Sequence, residues 1–162
     1  MQVVKGYADI RSTSSSPGFL NAVSDLTKVY EGQLASCVRG VAILDKQYVA
    51  VRDEVKTLGQ KTVIRWTMLT PAEAKITGKN SIELKKDGKR LRIEVAGQPV
   101  TMKTWTTTSP NSYDSPNPGT VLVGFETEIP ANTSAALTVK LIPQHVNKTA
   151  VIPDIEQWPK EN

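Results

Sequence analysis

Histidine and cysteine are nearly absent from these 162 residues: His145 and Cys37 stand alone. One cysteine excludes an internal disulfide and any cysteine-cluster zinc site. One histidine excludes a multi-histidine metal site, and nothing beside His145 in IPQHVNK supplies a partner acid or nucleophile. There is no Ser-His-Asp set, no phosphate-cradling glycine loop and no metal-ligand cluster. No catalytic residue, metal or cofactor is therefore assigned. No apolar run approaches the ~20 residues of a membrane helix, so no membrane insertion is expected. The start, MQVVKGYADI, has no basic stretch followed by a long apolar block. An export signal would have to lie upstream of Met1. Aromatics make up only 6% and do not interleave with basic residues as stacking nucleic-acid readers require, which argues against nucleic acid.

What the chain does contain is period-two alternation of apolar and polar residues. Strands are expected near Val3–Ile10, Leu34–Leu44, Tyr48–Val55, Thr62–Leu69, Ser81–Lys85, Arg90–Val95, Val100–Thr107, Val121–Ile129 and Ala135–Ile142. Asp45-Lys46, Leu58-Gly59-Gln60 and Asp87-Gly88 read as hairpin turns, the last most strongly. In PGFLNAVSDLTKVYEG, Leu20, Val23, Leu26 and Val29 recur every third residue between Pro17 and Gly32. That spacing predicts one short helix, preceded by a polar loop, RSTSSSPG. A second long loop, Thr108 to Gly119, holds three prolines. The expected fold is all-β, an antiparallel sandwich of about 9–11 strands with one short helix. The sandwich would span residues 1–143, with the loop and helix near 11–32, and residues 144–162 would form a C-terminal tail, either docked through Trp158 or leading to a further segment.

Net charge is +4 and the pI about 9.2, which suits a solvated surface as well as an acidic partner. The basic residues concentrate at one hairpin. Lys85, Lys86, Lys89, Arg90 and Arg92 could contact the sulfates or carboxylates of an acidic polysaccharide, or could serve only solubility and edge protection; the second use is the commoner. Trp105 and Tyr113 flank the proline-rich loop and could stack on sugar rings, although packing beside Met102 or Trp66 is the more ordinary use of Trp105. Cys37, in LASCVRGVAIL, reads as a buried, inert thiol. Asn132-Thr133-Ser134 and Asn147-Lys148-Thr149 fit the glycosylation triplet, which is common by chance.

YVAVRDEV poses a sharper question. Strand parity puts Asp53 on the face of Val49, Val51 and Val55, and Glu54 on the other. The two carboxylates cannot flank one bond, so paired acid–base chemistry is excluded. A carboxylate on an apolar face needs a donor. The candidates are backbone N–H groups of the Lys56–Gln60 turn or an arginine such as Arg39, which shares a face with Val41 and Ile43.

Together Asp25-Leu26-Thr27 with Tyr30, then Arg39, then Asp53 with Val55, then Trp66 with Met68 and Thr70 resemble, in order and spacing, the late β-sandwich region of the heparinase II/III-like polysaccharide lyases. The hairpin ITGKNSIELKKDGKRLRIEV continues the resemblance, which covers Asp25 to Pro143. It implies structural roles for Arg39, Asp53 and Trp66, and for Tyr30. It also implies a longer bacterial parent, periplasmic or secreted, in which a catalytic helical toroid packs on the sandwich. Such a parent removes the proton α to a uronate carboxyl and cleaves glycosaminoglycan-like chains by β-elimination. Its partners would be an acidic polysaccharide and the helical domain of the same chain. This chain has no counterpart of the toroid and is expected not to cleave polysaccharide alone. The competing expectation is a free-standing carbohydrate-binding or surface-adhesion sandwich, since such folds host unrelated functions.

Overall fold

The computed structural model describes residues 6–108, 113 and 117–161. Eleven strands form two antiparallel sheets. They are β1 (Asp9–Ser14), β2 (Phe19–Asp25), β3 (Leu34–Leu44), β4 (Tyr48–Thr57), β5 (Thr62–Thr70), β6 (Glu73–Gly78), β7 (Ser81–Lys86), β8 (Lys89–Ala96), β9 (Thr101–Thr106), β10 (Val121–Ile129) and β11 (Ser134–Pro143). The large sheet has the order β1-β2-β3-β4-β11-β8-β7-β6, and the small sheet β5-β10-β9. An all-β sandwich is what the alternation predicts. Among the described residues, no helix is long and apolar enough to cross a membrane.

Two turns follow directly from their residues. Asp45 and Lys46 have φ of 50° and 56°, and Asp87 and Gly88 have 50° and 74°. Positive φ at both central positions is the type I′ turn, whose twist matches that of the strands it joins. Leu58-Gly59-Gln60 behaves differently from expectation. It does not close a hairpin, because β4 belongs to the large sheet and β5 to the small one. The chain crosses between layers here, and Thr57 ties the crossing to Pro130 and Thr133 by hydrogen bonds from and to its hydroxyl.

The expected helix is also corrected. Phe19–Asp25 is β2, paired with β3 from Phe19 opposite Leu44 to Asp25 opposite Val38. Phe19 and Val23 pack on one face of the sheet, while Leu20 and Ala22 lie on the other. Apolar residues on both faces of a strand mimic a spacing of three. Helical geometry survives only as a 3-10 turn at Thr27–Tyr30. Asp25 stands just before it and accepts from the Thr27 N–H at 2.9 Å; the Thr27 hydroxyl first, and then this N–H, hold the carboxyl below its ordinary pKa. Likewise, the serine-rich segment expected as a loop contains β1, which starts at Asp9 rather than near Val3; residues 1–5 lie outside the described residues. β6 has no expected counterpart.

The two faces of the large sheet are covered differently. On one face, Met102, Val123 and Phe125 of the small sheet pack on Ile82, Ile93, Val95 and Val139. Trp66 stacks on Phe125, with centroids 6.0 Å apart and planes 4° from parallel. The opposite face is covered by the segment after β11, here called the strap. Val146, Ile152, Ile155 and Trp158 bury Val23, Ala42, Leu44, Tyr48 and Ala50. Trp158 meets Phe19 edge-on at 5.1 Å. It lies so close to Gly40 that a Cβ there would sit 2.4 Å from its ring. Further along, the Asn21 amide donates to the Pro159 carbonyl at 3.1 Å, and the Glu161 N–H to that of Thr13 at 2.9 Å.

Candidate functional site

β4 aims neighbouring residues at opposite faces, and each of its charged residues meets a different fate. On the strap face, buried Arg52 donates to Glu54 at 2.8 Å, to the Thr138 hydroxyl and the Ile152 carbonyl at 3.3 Å each, and to Asp154. Glu54 in turn accepts the Ile155 N–H at 2.8 Å. This network pins the strap. On the sandwich face, Asp53 takes both N–H vectors of Arg39, at 2.6 and 2.8 Å. Such a fork-to-fork pair satisfies the carboxylate without the Lys56–Gln60 turn.

The Arg39–Asp53 pair lines a cleft of about 440 Å³ between β3, β4 and the outer edge of β5. Tyr30, Gln33, Cys37, Ile64, Arg65 and Trp66 complete its walls. Cys37 is buried, and burial first, then the nearby Asp53 charge, pushes its thiol up to about 12. It is a protonated wall atom, not a nucleophile. Both Asp53 oxygens accept from Arg39, and the hydrogen bond to Asp53 raises the Arg39 pKa above its ordinary value. The guanidinium side chain keeps 37% of its exposure, so it can meet an anion from the open side.

The other candidate residues lie elsewhere. Lys86 pairs with Asp87, Arg90 with Glu83 at 3.7 Å and Arg92 with Glu94 at 2.6 Å. Three of the hairpin's five cations are thus offset locally. Lys85 and Lys89 have no carboxylate partner among the described residues. Trp105 does not pack beside Met102 or Trp66. It points to the outer face of the small sheet, where the Arg65 guanidinium sits 5.0 Å from its ring centroid. That contact occupies one ring face. Arg65 and Lys103 both bond Glu126, and those bonds, Lys103 foremost, lower its pKa. Tyr113 is 83% exposed, but the loop on both sides of it lies outside the described residues. No cluster of three metal-ligating side chains occurs among the described residues.

Sequence reasoning did not assign Arg52, although parity with Tyr48 and Ala50 already placed it on an apolar face. Nor did it assign Arg65, Lys103 and Glu126, whose meeting depends on the β5-β10-β9 order.

Superposition on solved structures adds the decisive comparison. Heparan sulfate lyase HepC from Pedobacter heparinus superposes on 88% of this chain with a TM-score of 0.68 at 14% identity. The fold is shared with heparinase III. Two further heparinase III structures superpose on 84% of the chain with TM-scores of 0.65 and 0.62, each at 14% identity. The chain spans about a fifth of their length, 21–22%. The resemblance in the DLT, Arg39, Asp53 and Trp66 segments therefore has a fold beneath it, with Asp25 bonded at the start of a turn, Asp53 held by Arg39 and Trp66 stacked in the core. No family model matches the sequence, and no curated protein matches it significantly.

Proposed function

We propose that this chain is the non-catalytic β-sandwich unit, strap included, of a heparinase-like polysaccharide lyase. The parent would be a bacterial enzyme, periplasmic or secreted, that cleaves uronate-containing polysaccharide by β-elimination. The unit would support the helical catalytic domain and form one wall of the substrate cleft. The superposition on heparinase III structures over 84–88% of the chain carries this reading. The chemistry of the described groups agrees with it. Asp53 is committed to Arg39, and Cys37 is held protonated, so neither supplies the base that β-elimination requires. The test is a lyase assay on heparin, heparan sulfate, chondroitin sulfate and alginate, following the ultraviolet absorbance of the unsaturated product. The isolated chain should give a flat trace, and steady turnover would overturn the reading.

One observation favours a second reading, a sandwich that binds acidic polysaccharide directly: Lys85 and Lys89 carry charge without a local partner. Binding to a sulfated-glycan array that disappears on Lys85→Ala/Lys89→Ala would favour it; binding that persists in that variant and in Arg90→Ala/Arg92→Ala would remove the hairpin from consideration.

A further inference from the structure

The small sheet has a second face. Trp66, Phe125 and Met102 point into the core, so strand parity turns their neighbours outward. Register sorts those neighbours into rows. Arg65 lies opposite Glu126, and Gly124 lies between Thr67 and Lys103. In the next row Leu122 lies between Leu69 and Trp105. A cationic band therefore runs beside an apolar one, with successive rows about 7 Å apart along the strands.

Glu126 is fully engaged within the cationic band. One of its oxygens accepts from Arg65 and the other from Lys103. Its side chain keeps 18% exposure, against 57% for Arg65 and 42% for Lys103. Two cations on one carboxylate leave a surplus positive charge, and that charge sits on the more exposed groups. Glu128, the next carboxylate on this face of β10, is bonded to Lys61 at 2.8 Å. The Arg65 guanidinium is also held in place. Its Nε and one terminal nitrogen meet Glu126, and its centre lies 5.0 Å from the Trp105 ring centroid. The other terminal nitrogen has no acceptor among the described residues. A guanidinium fixed on two sides loses little rotamer freedom when it meets an anion. On the far side of the band a hollow of about 380 Å³ opens between Val63, Thr101 and Lys103.

We propose that this outer face is a binding site for a sugar unit bearing a carboxylate or a sulfate. The acid group takes the unbonded nitrogen of Arg65 and the Lys103 ammonium. The C–H face of the sugar ring rests on Leu122 and Trp105. A following sugar lies toward the hollow. Charge complementarity beside an apolar row selects this class of ligand. A neutral sugar leaves the surplus charge unanswered, and an acidic peptide leaves the apolar row unanswered. Single-stranded nucleic acid needs successive aromatics to stack on, and this face has one. The site lies on the opposite side of the small sheet from Arg39 and Asp53 and apart from the Lys85–Arg92 hairpin. It goes beyond the accessory-domain reading and does not depend on it.

The test titrates the chain with a tetrasaccharide cut from heparin, which carries carboxylates and sulfates, followed by calorimetry and tryptophan fluorescence. Trp66 is stacked on Phe125 and Trp158 is buried, so a change in emission reports Trp105. Trp105→Ala should remove that change and weaken binding about tenfold. Lys103→Gln keeps a donor for Glu126 and so spares the fold; it should weaken binding by a similar factor and reduce its salt dependence. Lys85→Ala/Lys89→Ala should bind like the unaltered chain. Maltotetraose, a ring without charge, and tetraglutamate, charge without a ring, should not bind. A desulfated form of the tetrasaccharide separates the two acid groups: retained binding assigns the carboxylate, and lost binding assigns the sulfate. No binding of the heparin tetrasaccharide, unchanged binding in either Trp105→Ala or Lys103→Gln, loss of binding in the hairpin variant, or equal binding of either control would each overturn the proposal.

Discussion

Arg52 and Asp53 are adjacent in the chain and live on opposite sides of one sheet. Arg52 is buried beneath the strap and bonded to two carboxylates, a hydroxyl and a backbone carbonyl. Asp53 meets a single arginine at the wall of an open cleft. One face of the sheet is thus closed by this chain's own downstream segment. The other is closed by the small sheet only in part, and among the described residues Val41 and Ile43 of its remainder stay exposed. A sheet with two apolar faces needs two covers, and on the strap face charged residues mark where the cover is fastened.

The strongest way to break this contrast is to loosen the strap. Trp158→Ala removes the ring that fills the space over Gly40 and Phe19. It should cost about 3–5 kcal/mol, read as a lower midpoint in urea, and make residues 144–161 susceptible to protease. Arg52→Ala comes next. It strands Glu54 beneath the strap and should cost about 3 kcal/mol. Asp53→Ala should cost less, about 2 kcal/mol, rather than the roughly 3 expected for a fully buried orphan, because Arg39 retains a path to water. Denaturation midpoints that place Asp53→Ala below Arg52→Ala would reverse the contrast. The smallest effect lies on the outer face. Glu126 has a depressed pKa, so its contribution to stability is complete above the ordinary glutamate value of 4.5 and lost as pH falls through the lower, folded-state value. Glu126→Gln should flatten the fall of melting temperature below that pH and change the neutral-pH value less than the other variants do.

These contrasts explain which parts of the structure were legible in the sequence. Parity along Tyr48–Val55 placed Asp53 and Arg39 on one face, because a strand's period of two leaves no freedom once it is paired on both sides. Asp45-Lys46 and Asp87-Gly88 marked their turns because few other residue types tolerate two positive φ values in succession. Phe19–Asp25 misled because it carries apolar residues on both faces, so that its apolar positions lost their period. β6 was invisible because Lys75, Ile76, Thr77 and Gly78 are all exposed and nothing selects a face. The partners of Arg52 could not be read, since Asp154 lies 102 residues away in a segment with no periodicity. The exposure of Val41 and Ile43 is a property of sheet order, which local pattern does not encode.

The strap also bears on how the chain is made. It lies downstream of every strand it covers, and its bonds to Asn21 of β2 and to Ser15 just after β1 join residues 138 and 146 positions apart. Synthesis therefore delivers the whole large sheet before Trp158 exists to cover it. During that interval Ala42, Leu44 and Tyr48 face water as a continuous apolar surface, at the stage when nascent domains are most prone to associate. The segment that ends the exposure arrives after every strand it covers, which makes the strap a timing element of biogenesis as well as a cover.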